Sequence, residues 1–422
     1  MNNKAGVRGL RTPAFWRFLR KAGGNGLTKR NNKALGEKRS VIREIFEYGN
    51  RRRAEIGAER VLDFSLGNPS VPPPDAVQRE LLRLLTEEDP LSLHGYTSAP
   101  GDPAVRAAVA ENLNARYGTA FSAGDLVLTA GAAASLTVSL SALLEQGDEV
   151  ILFAPYFPEY TVFVETAGGV PVTVPCPAPE FQIDFDRLAA AITPRTRAVI
   201  LNSPNNPSGA VVPAEALETL SSVLTAAGER YGHTIWLISD EPYRELTYDG
   251  IETPFVTPYY PATIVCYSFS KSLSLPGERI GYILVPPAVP QQTDVLHAVY
   301  GAARALGYVC APALFQKLLP ACVGQTADRA VYARNRQLLC DALRENGYTF
   351  TRPDGAFYLF VQALEPDAAA FCERAKKYEL LLVPSDDFGV PGYVRIAYCV
   401  STAQIERAIP AFAQLAKEYR HG

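Results

Sequence analysis

The chain has 422 residues, 47% hydrophobic and 20% charged, with 41 Lys+Arg against 44 Asp+Glu and a formal net charge of −3. That is the composition of a globular protein long enough for about two domains of roughly 100–200 residues each. It excludes a membrane-spanning chain, because no apolar run nears the ~20 residues a crossing requires, and its balance argues against a nucleic-acid or membrane-surface binder.

The charge is uneven. Residues 1–39 carry 11 Lys+Arg and one acid, Glu37, so a +10 leader precedes a −13 body. Gly23-Gly24-Asn25-Gly26 and Asn31-Asn32 surround one short apolar patch at 15–19, without the long apolar core of a secretory signal. The expectation is a disordered, dispensable leader on a cytoplasmic protein. Ser40 is placed to cap a helix through Val41-Ile42 and Ile45-Phe46. The chain then turns at Gly67-Asn68-Pro69 and at Pro72-Pro73-Pro74, where prolines forbid regular helix. This stretch, 40–75, is expected to join a smaller C-terminal domain.

From 76 to about 325 the pattern changes to short β-branched runs alternating with helical stretches. The runs are Leu126–Thr129, Val150–Phe153, Ala198–Leu201, Ile235–Ile238 and Thr263–Tyr267. Each is apolar on both alternations, as parallel strands covered on both faces are. Helical stretches such as Ala132–Leu144 and Ala214–Ala227 lie between or beside them, which predicts an α/β large domain. From 326 to 422 a long helix (Asp328–Glu345), a strand pair around Ala356–Val361 and Val394–Tyr398, and closing helices predict a smaller α+β domain.

The seven cysteines are odd in number and form no close CxxC pair, and the four histidines are widely scattered. Neither a disulfide framework nor a metal site is expected. No Walker A, GxGxxG or GxSxG element occurs.

Open α/β sheets bind ligands beyond the carboxyl ends of their strands. Gly131-Ala132-Ala133 follows the first run and opens a helix whose N–H groups could cradle a phosphate, or simply allow close packing. Phe157 and Tyr160 follow the second run, as ring-stacking groups or as core. Asn202, Asn205 and Asn206 follow the third, with amides able to bond a ligand oxygen. Asp240 and Tyr243 follow the fourth; a buried carboxylate needs a partner such as a protonated ring nitrogen, although helix capping is an ordinary use of Asp. Ser268-Phe269-Ser270-Lys271 and Gly277-Glu278-Arg279 follow the fifth, as a solvated loop or as a Schiff-base amine with an anion clamp. Together these groups fit one cofactor, pyridoxal 5'-phosphate (PLP).

The ordered set Asn202–Gly209, Asp240-x-x-Tyr243, Ser268-x-Ser270-Lys271 and Gly277-x-Arg279 resembles the class I/II aminotransferases of PLP fold type I, aspartate aminotransferase-like. Tyr96-Thr97 before Gly101, the Gly131 turn and Val394-Arg395-Ile396 extend the likeness from about Asp63 to Ala413. That fold has a mostly parallel mixed sheet between helices and a smaller α+β domain. The resemblance implies that Lys271 forms a Schiff base with PLP and moves the substrate Cα proton, because its amine is nucleophilic once neutral. It implies that Asp240 keeps the pyridine nitrogen protonated, that Asn206 and Tyr243 bond the ring hydroxyl oxygen, and that Phe157 stacks on the ring, where many relatives have tryptophan. Ser268, Arg279 and the amides of Ala132 and Ala133 would hold the phosphate. Arg395 would take the substrate α-carboxylate, with the Gly67 backbone close to it, and Tyr96 would reach the site of a neighbouring subunit in a symmetric homodimer.

The activity so implied is transfer of an amino group from an L-amino acid to a 2-oxo acid, with aspartate or glutamate and 2-oxoglutarate as the default pair. A PLP-dependent C–S β-lyase would use the same Lys271, Asp240 and Arg395, and a PLP-binding regulator is the reading from another class. For the side-chain carboxylate of a dicarboxylic substrate, Arg244 and Arg304 are the candidate cations.

Overall fold

The computed structural model describes residues 30–37 and 40–420. The apolar patch at 15–19 and most of the leader lie outside the described residues. Within the leader, Arg30–Glu37 forms a helix where disorder was expected. A surface Lys33–Glu37 pair at 3.4 Å has the (i, i+4) spacing that supports an exposed helix by about 0.3–0.5 kcal/mol. Ser40 precedes the helix Val41–Ile56 with an extended backbone, but its hydroxyl makes no capping bond. Its carbonyl instead accepts from the Glu44 N–H at 3.0 Å.

The centre of the fold is a seven-stranded mixed sheet. Its members are β2 (Leu126–Thr129), β3 (Glu149–Ala154), β4 (Val170–Pro175), β5 (Thr196–Asn202), β6 (Trp236–Asp240), β7 (Thr263–Ser268) and β8 (Gly281–Leu284), in spatial order β2-β8-β7-β6-β5-β3-β4. The five apolar runs are five of these strands, and β2, β3, β6 and β7 are buried at every residue. Two strands and one direction were not anticipated. β4 lies at the sheet edge, is mostly exposed or half-buried, and contains Pro171 and Pro175, which an edge strand tolerates. β8 runs antiparallel to both β2 and β7, so Leu126–Thr129 pairs only with an antiparallel neighbour rather than a parallel one. The chain reverses directly after β7 through the short helix Phe269–Ser272, without the longer crossover that a parallel return needs.

A second set of strands comes from both ends of the chain. β1 (Leu62–Asp63) pairs in parallel with β10 (Leu380–Leu381). β12 (Tyr393–Ala397) lies between β11 (Val383–Pro384) and β9 (Tyr358–Gln362), antiparallel to both. The register sets Ala397 opposite Tyr358 and Arg395 opposite Phe360. The long helix runs Arg329–Glu345, with Asp328 as its N-cap accepting from the Ala330 N–H at 2.9 Å. Leu62, Phe64 and Val71 share one apolar core with Phe357, Leu359, Ile396 and Phe412. No helix among the described residues is long and apolar enough to cross a membrane.

Candidate active site

The carboxyl ends of β2, β3, β5, β6 and β7 carry the expected groups. β5 ends at Asn202, opposite Asp240, the last residue of β6. Asn202 is a brace: its Nδ2 donates to the Asp240 carbonyl at 2.9 Å, and its Oδ1 accepts from the Asn206 N–H at 2.8 Å. Asn205 is spent on its own turn, where its Oδ1 accepts from the Ser208 N–H at 3.0 Å and from the Ser208 hydroxyl at 2.8 Å. Of the three asparagines considered for a ligand, two build the loop, and Asn206 is left facing the site.

Asp240 is buried, and its Oδ2 accepts a short bond from the Tyr160 hydroxyl. Its Oδ1 has no hydrogen-bond partner among the described residues. Burial pushes the carboxyl up to about 7, with the Tyr160 bond working against that rise and nearby Glu241 adding to it. A carboxylate so placed is a receptor for a cationic N–H. Phe157 is half-buried and stands edge-to-face on Tyr160, with centroids 5.7 Å apart and planes at 86°.

Lys271 sits in the short helix after β7, and its Nζ donates to the Gly67 carbonyl at 2.6 Å. Burial brings its amine down to about 8, the guanidinium groups of Arg279 and Arg395 lowering it further and Cys399 opposing them. A lysine near 8 is neutral in a useful fraction at physiological pH, which is the state a nucleophilic amine needs.

Arg395, on β12, is buried at 2% exposure. Its guanidinium donates to the Ser65 carbonyl at 2.5 Å and to Asn206 Oδ1 at 3.1 Å, while its Nε has no hydrogen-bond partner among the described residues. These acceptors are neutral, so the cation remains available to an anion. It stands 4.7 Å from the ring centre of Tyr358. Tyr243 and Tyr358 share a 2.9 Å hydroxyl–hydroxyl bond.

A third locus lies where Ser268, Arg279 and the helix Ala132–Leu143 meet. Ser268 pairs with Gly281, and its hydroxyl bonds that of Ser270 at 2.7 Å. Gly131 precedes the helix at φ 86°, and a Cβ there would lie 3.0 Å from Arg279 Nη2. A guanidinium thus abuts a helix start, where the first N–H groups lack intrahelical partners: an anion site of ordinary construction. Ala132 and Ala133 are the first two residues of that helix.

Tyr96 stays apart from these groups, at 98% exposure. Arg244 does not read a ligand from the rim either: it is buried against Glu241 and bonds the Tyr282 hydroxyl at 3.1 Å, with its guanidinium 4.6 Å from the Tyr267 ring centre. Arg304 is exposed on the helix Gln292–Ala305. The sequence shows Tyr160 only as part of an aromatic cluster and does not single out Tyr358. Their hydroxyls meet Asp240 and Tyr243 across 80 and 115 residues, and no local spacing announces such contacts.

This architecture is shared with solved aminotransferases. The chain matches an amino transferase from Eubacterium rectale with TM-score 0.91 and 53% identity, covering 94% of this chain and 100% of that one. It matches the aspartate aminotransferase from Thermus thermophilus with TM-score 0.82 and 28% identity, covering 93% and 100%. The class is therefore PLP fold type I, with its mostly parallel mixed sheet between helices. Among curated relatives, the aspartate/prephenate aminotransferase of Thermus thermophilus is 32% identical over 366 residues, 83% of this chain and 90% of that protein. The arginine–pyruvate transaminase of Pseudomonas aeruginosa is 31% identical over 378 residues, 87% and 92%. The model of the family "Aminotransferase class I and II" matches residues 59–412, and the chain belongs to that family and is an aminotransferase.

Proposed function

We propose that the protein uses PLP to move the amino group of L-aspartate to 2-oxoglutarate, giving oxaloacetate and L-glutamate, with Lys271 as the covalent anchor. The family supports the cofactor, and relatives named aspartate/prephenate aminotransferase and aspartate aminotransferase support aspartate as the amino donor. The observation that carries the reading is the buried, unpartnered Asp240 Oδ1 on the strand beside the one that leads to Lys271.

When bound, PLP supplies an aldehyde carbon and an electron-withdrawing ring that makes the substrate Cα–H acidic. Asp240 Oδ1 would accept the ring N–H and, by its charge, hold the proton there. Asn206 and Tyr243 would hold the ring oxygen, and Phe157 would flank the ring face. Ser268, Arg279 and the N–H groups of Ala132 and Ala133 would hold the phosphate. Arg395 would exchange the Ser65 carbonyl for the substrate α-carboxylate, with Gly67 leaving room for that group. Lys271 Nζ, neutral because burial disfavours its charge, would remove the Cα proton. Residues 76–325 would form the cofactor-holding domain, and 40–75 with 326–422 the smaller one. Tyr96 would complete the site of a partner in a homodimer.

Lys271→Ala is the direct test. Transamination should fall by at least about a thousandfold while circular dichroism stays that of the wild type. Substantial remaining turnover would overturn the assignment.

A further inference from the structure

Tyr358 touches three parts of the machinery without belonging to any of them. It is 2% exposed, on β9, opposite Ala397 of the strand that carries Arg395. Its hydroxyl lies 2.9 Å from that of Tyr243. Its ring centre is 4.7 Å from the Arg395 guanidinium carbon. A Cβ built on Gly67 would fall 1.9 Å from its hydroxyl oxygen, so that oxygen rests against the very residue whose carbonyl accepts from Lys271.

Two hydroxyls that share one bond have one hydrogen between them and one to spare. If Tyr243 donates, its hydrogen is spent on Tyr358. If Tyr358 donates, Tyr243 keeps its hydrogen for another acceptor, and as an acceptor itself becomes the stronger donor. A Tyr243 that gives its hydrogen to the cofactor ring oxygen, as proposed above, can only accept from Tyr358, so the 2.9 Å contact then runs from Tyr358 to Tyr243.

We propose that Tyr358 is a positioning residue of the transamination site: its hydroxyl donates to Tyr243, freeing the Tyr243 hydrogen for the cofactor ring oxygen, while its ring steadies the Arg395 guanidinium. The proposal rests on the PLP reading given above. It assigns to one side chain the alignment of both the group that holds the ring oxygen and the group that takes the carboxylate.

Tyr358→Phe keeps the ring and removes only the hydroxyl. In the PLP-loaded protein, the pH midpoint of the visible absorbance change should rise by about 0.5 unit, because Tyr243 becomes a weaker donor to the ring oxygen. The kcat should fall about fivefold, the effect of one ordinary hydrogen bond, while KM for the amino acid stays within about twofold because the ring beside Arg395 remains. In a Tyr243→Phe background the same substitution should leave the midpoint where it is. A lowered midpoint would mean that Tyr243 was the donor, and an unchanged midpoint, even with a lower melting temperature, would mean a merely structural role; either overturns the proposal. Wild-type protein that develops no visible band with PLP would overturn the cofactor reading as well, which separates the two failures.

Discussion

The Asp240 carboxyl, raised to about 7 by burial, keeps its proton in the folded, cofactor-free protein at pH values where an unfolded chain has already released it near 3.9. A folded pKa raised above the unfolded value makes the folded state lose stability as pH rises through that window, from about 4 to about 7. Asn at this position carries no such penalty and can still accept from Tyr160. Cofactor-free Asp240→Asn should therefore gain stability over wild type from pH 5 to pH 8 by about 2–3 kcal/mol, read from urea unfolding at the two pH values. A gap that does not widen with pH would remove this account of Asp240. The same variant should lose at least about a hundredfold in kcat/KM, since a neutral amide would not hold the proton on the ring nitrogen.

At the level of elements, the anion locus depends on one turn. Gly131 enters the helix Ala132–Leu143 at φ 86°, and Arg279 packs where a side chain would otherwise stand. Gly131→Ala both strains the backbone and crowds the guanidinium, so the PLP dissociation constant should rise about tenfold or more. Equilibrium titration of the cofactor-free protein reads this, and an unchanged constant would detach the turn from phosphate binding. The strands were legible in the sequence where burial on both faces left unbroken apolar runs. They were illegible where proline and exposure mark an edge, as in β4, or where the chain simply reverses, as in β8. Likewise Lys271 and Asp240 stand out because charge at the end of an apolar run is conspicuous, whereas Arg395, in the middle of β12, comes only with the family resemblance. The division of labour among Asn202, Asn205 and Asn206 could not, since identical side chains differ there only in which neighbours the loop presents to them.

For the molecule as a whole, Tyr96 offers the sharpest test of shared sites. Its side chain is 98% exposed, and the preceding helices expose Leu82, Leu85 and Leu91. If each site takes Tyr96 from a partner, subunits carrying Lys271→Ala and Tyr96→Ala should rescue each other when unfolded and refolded together. Random pairing makes half the dimers mixed and leaves one intact site in each, so about one quarter of wild-type activity should return. No gain over the separate variants would place Tyr96 outside the neighbour's site. Arg244 acts on this scale too, as a buried tie between Glu241 and Tyr282 inside the sheet's flank rather than as a reader of substrate.

The pairing of β1 with β10 bears on when a newly made chain can become active. Ser65 and Gly67, whose carbonyls accept from Arg395 and Lys271, directly follow a strand that has no sheet partner until residues 380–381 exist. A ribosome must therefore deliver almost the entire polypeptide before these acceptors are fixed. Such distant pairing is slow to close, because its loop entropy is lost before the contact rewards it. The central sheet has its last strand once residue 284 exists, and can assemble while synthesis continues; the contacts that hold Arg395 and Lys271 arrive only with about the last tenth of the chain.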